Sequence, residues 1–188
     1  MLKIITAPDR VLSQRAKRVK KIDKSILEFV EEMKMALLAA KDPEGVGLAA
    51  PQVGKSLSVF ITKQNAKSPI KVFINPHLKL DQINFNPENK NQKRGAKKSI
   101  SKRLEGCLSL PNIWGHVKRG SNLSISYQDE NGKNHSKKFT GFMATIIQHE
   151  MDHLNGALFT KRVLQQNGIL YKSHKNEQGE DIFEEIEV

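Results

Sequence analysis

Residues 149 to 153 read His-Glu-Met-Asp-His, and that spacing is useful in one backbone conformation. Side chains four apart on an α-helix stand one above the other, so His149 and His153 can each turn a ring nitrogen toward a single point. Two imidazoles placed this way grip a metal ion. Glu150 follows the first of them and projects about 100° round the helix, within reach of a water on the metal but poorly placed to bind the metal itself. It reads as a base. The fold therefore has to hold one late helix rigidly, and a helix buried on most sides among strands would do so.

With six His and thirteen Glu in the chain, these three fixed positions would match by chance in on the order of one such chain in a hundred. A catalytic metal also takes three protein ligands and keeps an open position for water. The candidate third ligand is the only cysteine, Cys107, in Glu105-Gly106-Cys107-Leu108-Ser109. A lone cysteine excludes an intramolecular disulfide, so Cys107 is a thiol or a ligand and the expected compartment is reducing. No segment is apolar over the length of a bilayer, and Met1 to Pro8 lack the basic-then-apolar order of a signal peptide. Cytoplasmic residence is expected.

A chain of 188 residues, 38% hydrophobic and 27% charged, suits one soluble domain, 1–188. Pro8 and Asp9 would start a short helix carrying Val11 and Leu12. Asp23 is placed to cap a helix running to about Ala40, with Ile26, Leu27, Val30, Met33, Leu37 and Leu38 as its core face and Asp42-Pro43 as its stop. Gly45 to Gly54 is a run of small residues, either open to the backbone of a ligand or packed as a tight loop beneath a helix. Gln52 is the one side chain in it able to donate a hydrogen bond. Leu57 to Thr62 and Ile70 to Asn75 read as neighbouring strands. The pattern then dissolves, and residues 77–104, net +6, are expected to form a basic, mobile loop insertion. Leu123 to Tyr127 and Lys137 to Thr140 flank Asn131-Gly132 and predict a hairpin feeding straight into the metal helix. Thr140 would cap that helix, Phe142, Ile146 and Ile147 would give it a buried face, and Gly156 lies past its end. Ile182, Phe183, Ile186 and Val188 could make a last edge strand in an acidic tail.

Gly45-Val-Gly-Leu-Ala-Ala-Pro-Gln52, Glu105-Gly-Cys-Leu-Ser109 and Gln148-His-Glu-Met-Asp-His153, in that order, resemble the three signature motifs of peptide deformylases. The resemblance runs from the Ala7-Pro8 region through Leu158. It implies an α+β fold in which strands and hairpins pack around a central metal-binding helix, with a further helix near the N-terminus. It also implies a hydrolase that removes the formyl group from the N-terminal formyl-methionine of nascent polypeptides. Carried over by position, Cys107, His149 and His153 would bind the metal, and Glu150 would move the proton. Gln52 and the backbone N–H of Leu108 would serve the oxyanion. Gly47 and Gly106 would run along the substrate backbone, and Val46, Phe142 and Ile146 would help form the methionine pocket. Trp114 and His116 stand where the rim of that pocket is expected.

One divalent cation per chain is implied, ferrous iron in the cell, with nickel, cobalt or zinc able to take its place. The implied partners are nascent formyl-methionyl peptides, and the basic loop suggests contact with ribosomal RNA. The expected compartment is a bacterial-type cytoplasm, with an organelle left open. Two other readings remain. A zinc peptidase would need a third ligand other than Cys107. A non-catalytic, ribosome-associated relative would have no use for Glu150, Gln52 and a full ligand set.

Overall fold

The computed structural model describes residues 2–41, 44–79 and 104–187. The basic segment expected as a loop falls outside these residues except at its two ends, as do the Asp42-Pro43 stop and Val188. Near the N-terminus, Arg10–Ser13 forms a single 3-10 turn with Leu12 buried, and Asp9 Oδ1 accepts from the Val11 N–H at 2.9 Å. The first α-helix, α1, spans Lys24–Ala39. Asp23 Oδ1 accepts from the N–H groups of Ser25 and Ile26 at 3.1 and 3.3 Å, satisfying two of the four orphan donors that any helix start leaves. Val30, Met33, Ala36 and Leu37 form its buried stripe. Leu27 and Leu38, expected in the core, instead face outward, because α1 meets the protein along one stripe only and both leucines lie at its margins.

That stripe covers one face of a five-stranded antiparallel sheet in the order β1-β2-β3-β6-β7, built from β1 Gly47–Ala49, β2 Val59–Thr62, β3 Lys71–Lys79, β6 Asn122–Gln128 and β7 Asn134–Thr140. The opposite face is covered by the second helix, α2, Gly141–Leu154. Strand side chains alternate between faces. Val59, Ile61, Val72 and Ile74 pack toward α1, while Phe60, Phe73, Leu123, Ile125 and Tyr127 pack toward Met143, Ala144 and Ile147 of α2. Burial on both sides explains why β2 is apolar without alternation. Phe60 and Phe73 stack in the second layer with ring centroids 4.5 Å apart.

One expectation for this sheet is corrected. Strand β3 does not end at Asn75 but continues to Lys79, so His77 and its neighbours are strand rather than loop. The register shifts between Ile74 and His77, and this irregularity absorbs Pro76, which cannot donate to the ladder. Asn75, at φ 51°, donates to Val19 O and accepts from the Val19 N–H, tying the bulge to the segment ahead of α1. The hairpin of β6 and β7 turns at Gly132, φ 75°, as expected, and runs directly into α2. Thr140 stands at the cap position, yet its side chain makes no cap hydrogen bond. Gly141 instead takes a left-handed conformation, φ 59°, and donates its N–H to Ser121 O at 2.9 Å. Phe142, expected on the buried face, is 54% exposed. It belongs to the helix stripe of Ile146, His149 and His153, not to the stripe of Ala144, Ile147 and Leu154 that meets the sheet.

A second antiparallel sheet has the order β4-β5-β8-β9, from β4 Glu105–Cys107, β5 Leu110–Gly115, β8 Leu170–Lys175 and β9 Asp181–Ile186. The short helix α3, Phe159–Gln165, packs beside it, and Phe159, Val163, Val117, Leu170 and Cys107 share a small core. Ile182, Phe183 and Ile186 do lie on an edge strand, and its acidic residues answer the basic ones of β8, with Asp181 3.1 Å from Lys175 Nζ. The two sheets thus present β1 and β4 to α2 from different sides.

Candidate metal centre and active site

Cys107 ends β4, and its register with β5 shifts at that point, so Leu108 and Ser109 turn over the sulfur. Cys107 Sγ and one ring nitrogen from each of His149 and His153 all lie within 4.8 Å of one another. Sγ is 3.2 Å from His153 Nε2. Two further donors point at the sulfur, the Ser109 N–H at 3.4 Å and Gln52 Nε2 at 3.4 Å. Gln52 follows β1 in a 3-10 turn and is 1% exposed. Its Oε1 accepts from the Ala49 N–H at 2.8 Å, which turns the amide nitrogen toward Cys107 and Ser109 Oγ.

Behind the imidazoles lies a buried chain of alternating charge. His149 Nδ1 is 3.1 Å from Glu105 Oε2. Burial alone would raise the Glu105 carboxyl, but hydrogen bonds from His149 and Arg119 outweigh it and draw it down to about 2. Glu105 is therefore an acceptor, and His149 Nδ1 gives it a proton, which turns the other ring nitrogen toward the cluster. Arg119 gives Nε and Nη2 to Glu105, each at 2.9 Å, and Nη1 to Asp152 at 2.7 Å; Arg162 on α3 gives Nη2 to the other Asp152 oxygen at 2.6 Å. Within the cluster, burial works against a charged His149, yet the contacts with Cys107 and Glu105 hold it well above the ordinary range. Burial and the neighbouring His149 push His153 well below it.

Glu150 is 3% exposed and burial lifts its carboxyl to about 7. Its Oε2 is buried with no hydrogen-bond partner among the described residues. The space beside it exists because residue 47 is glycine: a Cβ there would fall on Glu150 Oε1 and within 2.7 Å of its Cδ. A cavity of about 250 Å³ opens onto this group. Of the residues expected as ligands, proton carrier, oxyanion donors and substrate contacts, all line it but His153, which stays behind the wall: Val46, Gly47, Gln52, Gly106, Cys107, Leu108, Phe142, Ile146, His149 and Glu150. Trp114 also lines it, and its ring fills the space over Gly106, where a Cβ would come within 2.8 Å; His116 is not part of the lining. Sequence reasoning missed Glu44, Leu104 and Thr145 in the wall. It also missed Arg119 and Asp152 behind it, although Glu105 and Asp152 sit inside the quoted motifs.

One sulfur and two imidazole nitrogens converge, and an orphaned buried carboxylate oxygen stands at the same cavity. This donor set fits a single borderline-soft divalent cation with one position left toward the cavity. A helix offering His-Glu-x-x-His to a cysteine from a neighbouring strand defines a single-metal hydrolase centre.

The sequence profile of the polypeptide deformylase family matches residues 1–168. A peptide deformylase of Microchaete diplosiphon is 40% identical over 179 residues, covering 89% of this chain and 86% of that one. Among solved structures, a peptide deformylase from Thermotoga maritima superposes with a TM-score of 0.69 at 33% identity, covering 86% of this chain and 97% of its own. One from Synechococcus elongatus, in complex with actinonin, gives 0.68 at 36% identity, covering 86% and 79%. The chain belongs to the polypeptide deformylase family, metal-dependent hydrolases that remove the formyl group from N-terminal formyl-methionine.

Proposed function

We propose that this chain deformylates nascent polypeptides with Cys107, His149 and His153 as the metal ligands and Glu150 as the proton carrier. The observation that supports this assignment is the convergence of the three donor atoms within 4.8 Å at a cavity that Glu150 also faces. When bound, the cation supplies a Lewis acid that brings the pKa of a coordinated water toward 7. Glu150 accepts the proton of the attacking water and returns it to the leaving amine, assistance typically worth about 10²–10⁴ in rate. Gln52 Nε2 and the Leu108 N–H donate to the carbonyl oxygen as it gains charge, and one such donor contributes about 10²–10³. Glu105 orients His149. The products are formate and a free N-terminal amine, so the atoms of one water are divided between them.

Val46, Phe142 and Ile146 enclose the methionine side chain, while Gly47 and Gly106 leave room for the substrate backbone in a strand-like pairing. The resemblance to the family suggests ferrous iron as the working cation, with nickel, cobalt or zinc as alternates. A zinc peptidase reading requires some other third ligand, and a sulfur 3.2 Å from His153 Nε2 removes that need. The chain works as one catalytic domain in a bacterial-type cytoplasm or an organelle, and residues 77–104 give it salt-dependent contact with ribosomal RNA. Co-sedimentation with ribosomes at low salt, before and after deletion of residues 82–100, checks that contact.

Formate release from a formyl-Met peptide, measured beside metal content, tests the assignment. Glu150→Ala keeps the metal and loses turnover, whereas Cys107→Ser loses metal as well. Full metal occupancy in Cys107→Ser would sink the ligand set.

A further inference from the structure

Three carboxylates line the cavity, Glu44, Glu105 and Glu150, and no lysine or arginine does among the described residues. Two of the three are committed, Glu105 to His149 and Arg119, and Glu150 to the reacting centre. Glu44 is not. Its side chain is 50% exposed, immediately ahead of the Gly45-Val46-Gly47 wall, and one oxygen is held: Lys63 Nζ lies 3.1 Å from its Oε1. Lys63 is 4% exposed, a rare burial for lysine, and its N–H donates to Val46 O at 2.8 Å, so it is fixed from both ends against the same wall. Because the ammonium is buried, an incoming substrate cannot displace it. Among the described residues its second oxygen has no partner, which leaves it for solvent or for a ligand.

We propose that Glu44 is a specificity-determining residue that favours substrates with basic side chains after the formyl-methionine, and that buried Lys63 positions its carboxylate and blunts the preference. The proposal rests on the deformylase reading. A peptide whose methionine fills the cavity leaves it along the Val46–Gly47 wall and passes this carboxylate in partly aqueous surroundings. There a single ion pair is worth little, about a two- to fivefold preference, and salt screens it. Lys63 leaves the wall near neutrality, which suits an enzyme that has to accept acidic chains as well.

The test is kcat/KM for formate release from peptides with Lys-Lys, Ser-Ser or Glu-Glu after formyl-Met, using the metal-loaded enzyme. At low ionic strength the Lys peptide is expected to exceed the Glu peptide about two- to fivefold, and the ratio to approach one in 1 M NaCl. Glu44→Gln brings the ratio to about one at low salt, and Lys63→Met raises it above that of the parent. Equal values for the three peptides in the parent, or a ratio that survives Glu44→Gln, overturns the proposal. A lower ratio in Lys63→Met overturns the part assigned to Lys63. Glu44 is exposed, so Glu44→Gln decides the matter even where Lys63→Met does not fold. Absence of formate from all three peptides refutes the deformylase reading itself, a result distinct from activity without charge preference.

Discussion

Replacing Gly47 by alanine should cost this enzyme its proton carrier without touching a ligand. The added Cβ would clash with Glu150 Oε1 and lie 2.7 Å from Cδ and 3.1 Å from Cγ. Contacts that short are not tolerated, so either β1 or the carboxylate has to move. Strand β1 is pinned by its pairing of Gly47, Leu48 and Ala49 with Thr62, Ile61 and Phe60, all of them buried. The carboxylate can swing into the cavity, and it yields. The expected loss is the share that a general base contributes, about 10²–10⁴ in kcat. The strain left in the wall should lower stability by about 1–3 kcal/mol. Cys107, His149 and His153 are undisturbed, so metal content should remain at one per chain.

The assay is formate release under saturating and limiting peptide, with metal analysis and a thermal melt on the same sample. If Gly47 served only to admit the substrate backbone, alanine would raise KM and spare kcat, because uniform binding is lost without loss of transition-state contacts. The double variant Gly47→Ala/Glu150→Gln should be no slower than Glu150→Gln alone, since both remove one function. A fully metallated Gly47→Ala enzyme with kcat within about threefold of the parent, far short of a base's share, would refute the steric argument.

Arg119→Met should lower stability by about 3–5 kcal/mol in denaturant, because it leaves the buried Glu105 carboxylate without its guanidinium, and should weaken metal affinity about 10–100-fold through His149. Chelation should lower the melting temperature with the logarithm of free metal, since a cation held at 100 times its Kd contributes about 2.7 kcal/mol; a melt indifferent to chelator would count against a metal bound to the folded state. In the metal-free protein, the Glu150 carboxyl sits at about 7 against an ordinary 4.5. A raised carboxyl disfavours the folded state once ionised, so its contribution is intact below pH 4.5 and lost as pH rises through 7, about 3 kcal/mol in all. Urea unfolding of the apoprotein across that window should therefore fall more steeply with pH than that of Glu150→Gln, and parallel curves would contradict it.

What the sequence made legible was what neighbours in the chain decide. Asp23 ahead of an apolar 3.6-residue period, the alternation around Asn131-Gly132 and two histidines four apart each specify their own geometry within a turn or two. The β4–β5 hairpin was not legible, because three-residue strands such as Glu105–Cys107 are too short to carry a period and owe their pairing to β8 and to the small core around Phe159. Arg119 gave no signal for a related reason. Its meaning lies in Glu105, 14 residues before it, and Asp152, 33 after, and only the folded chain brings those carboxylates to one guanidinium.

Helix α2 shows why a single period could mislead about its faces. Ala144, Ile147, Met151 and Leu154 make one stripe and pack on the Phe60–Phe73–Tyr127 layer of the first sheet. Phe142, Ile146, His149 and His153 make a second, about one residue out of phase, and it is this stripe that meets Cys107 from the other sheet. Both stripes contain apolar residues, so hydrophobic spacing alone cannot say which is core and which is cavity wall. The histidines do say it: a stripe that has to reach a metal cannot also be sealed against a sheet, and every apolar residue in phase with them must border the cavity. By that rule Phe142 belongs to the substrate side, which its 54% exposure bears out. The rigidity of the metal site then comes from the first stripe, where the helix is clamped to the sheet a turn away from the chemistry it holds in place.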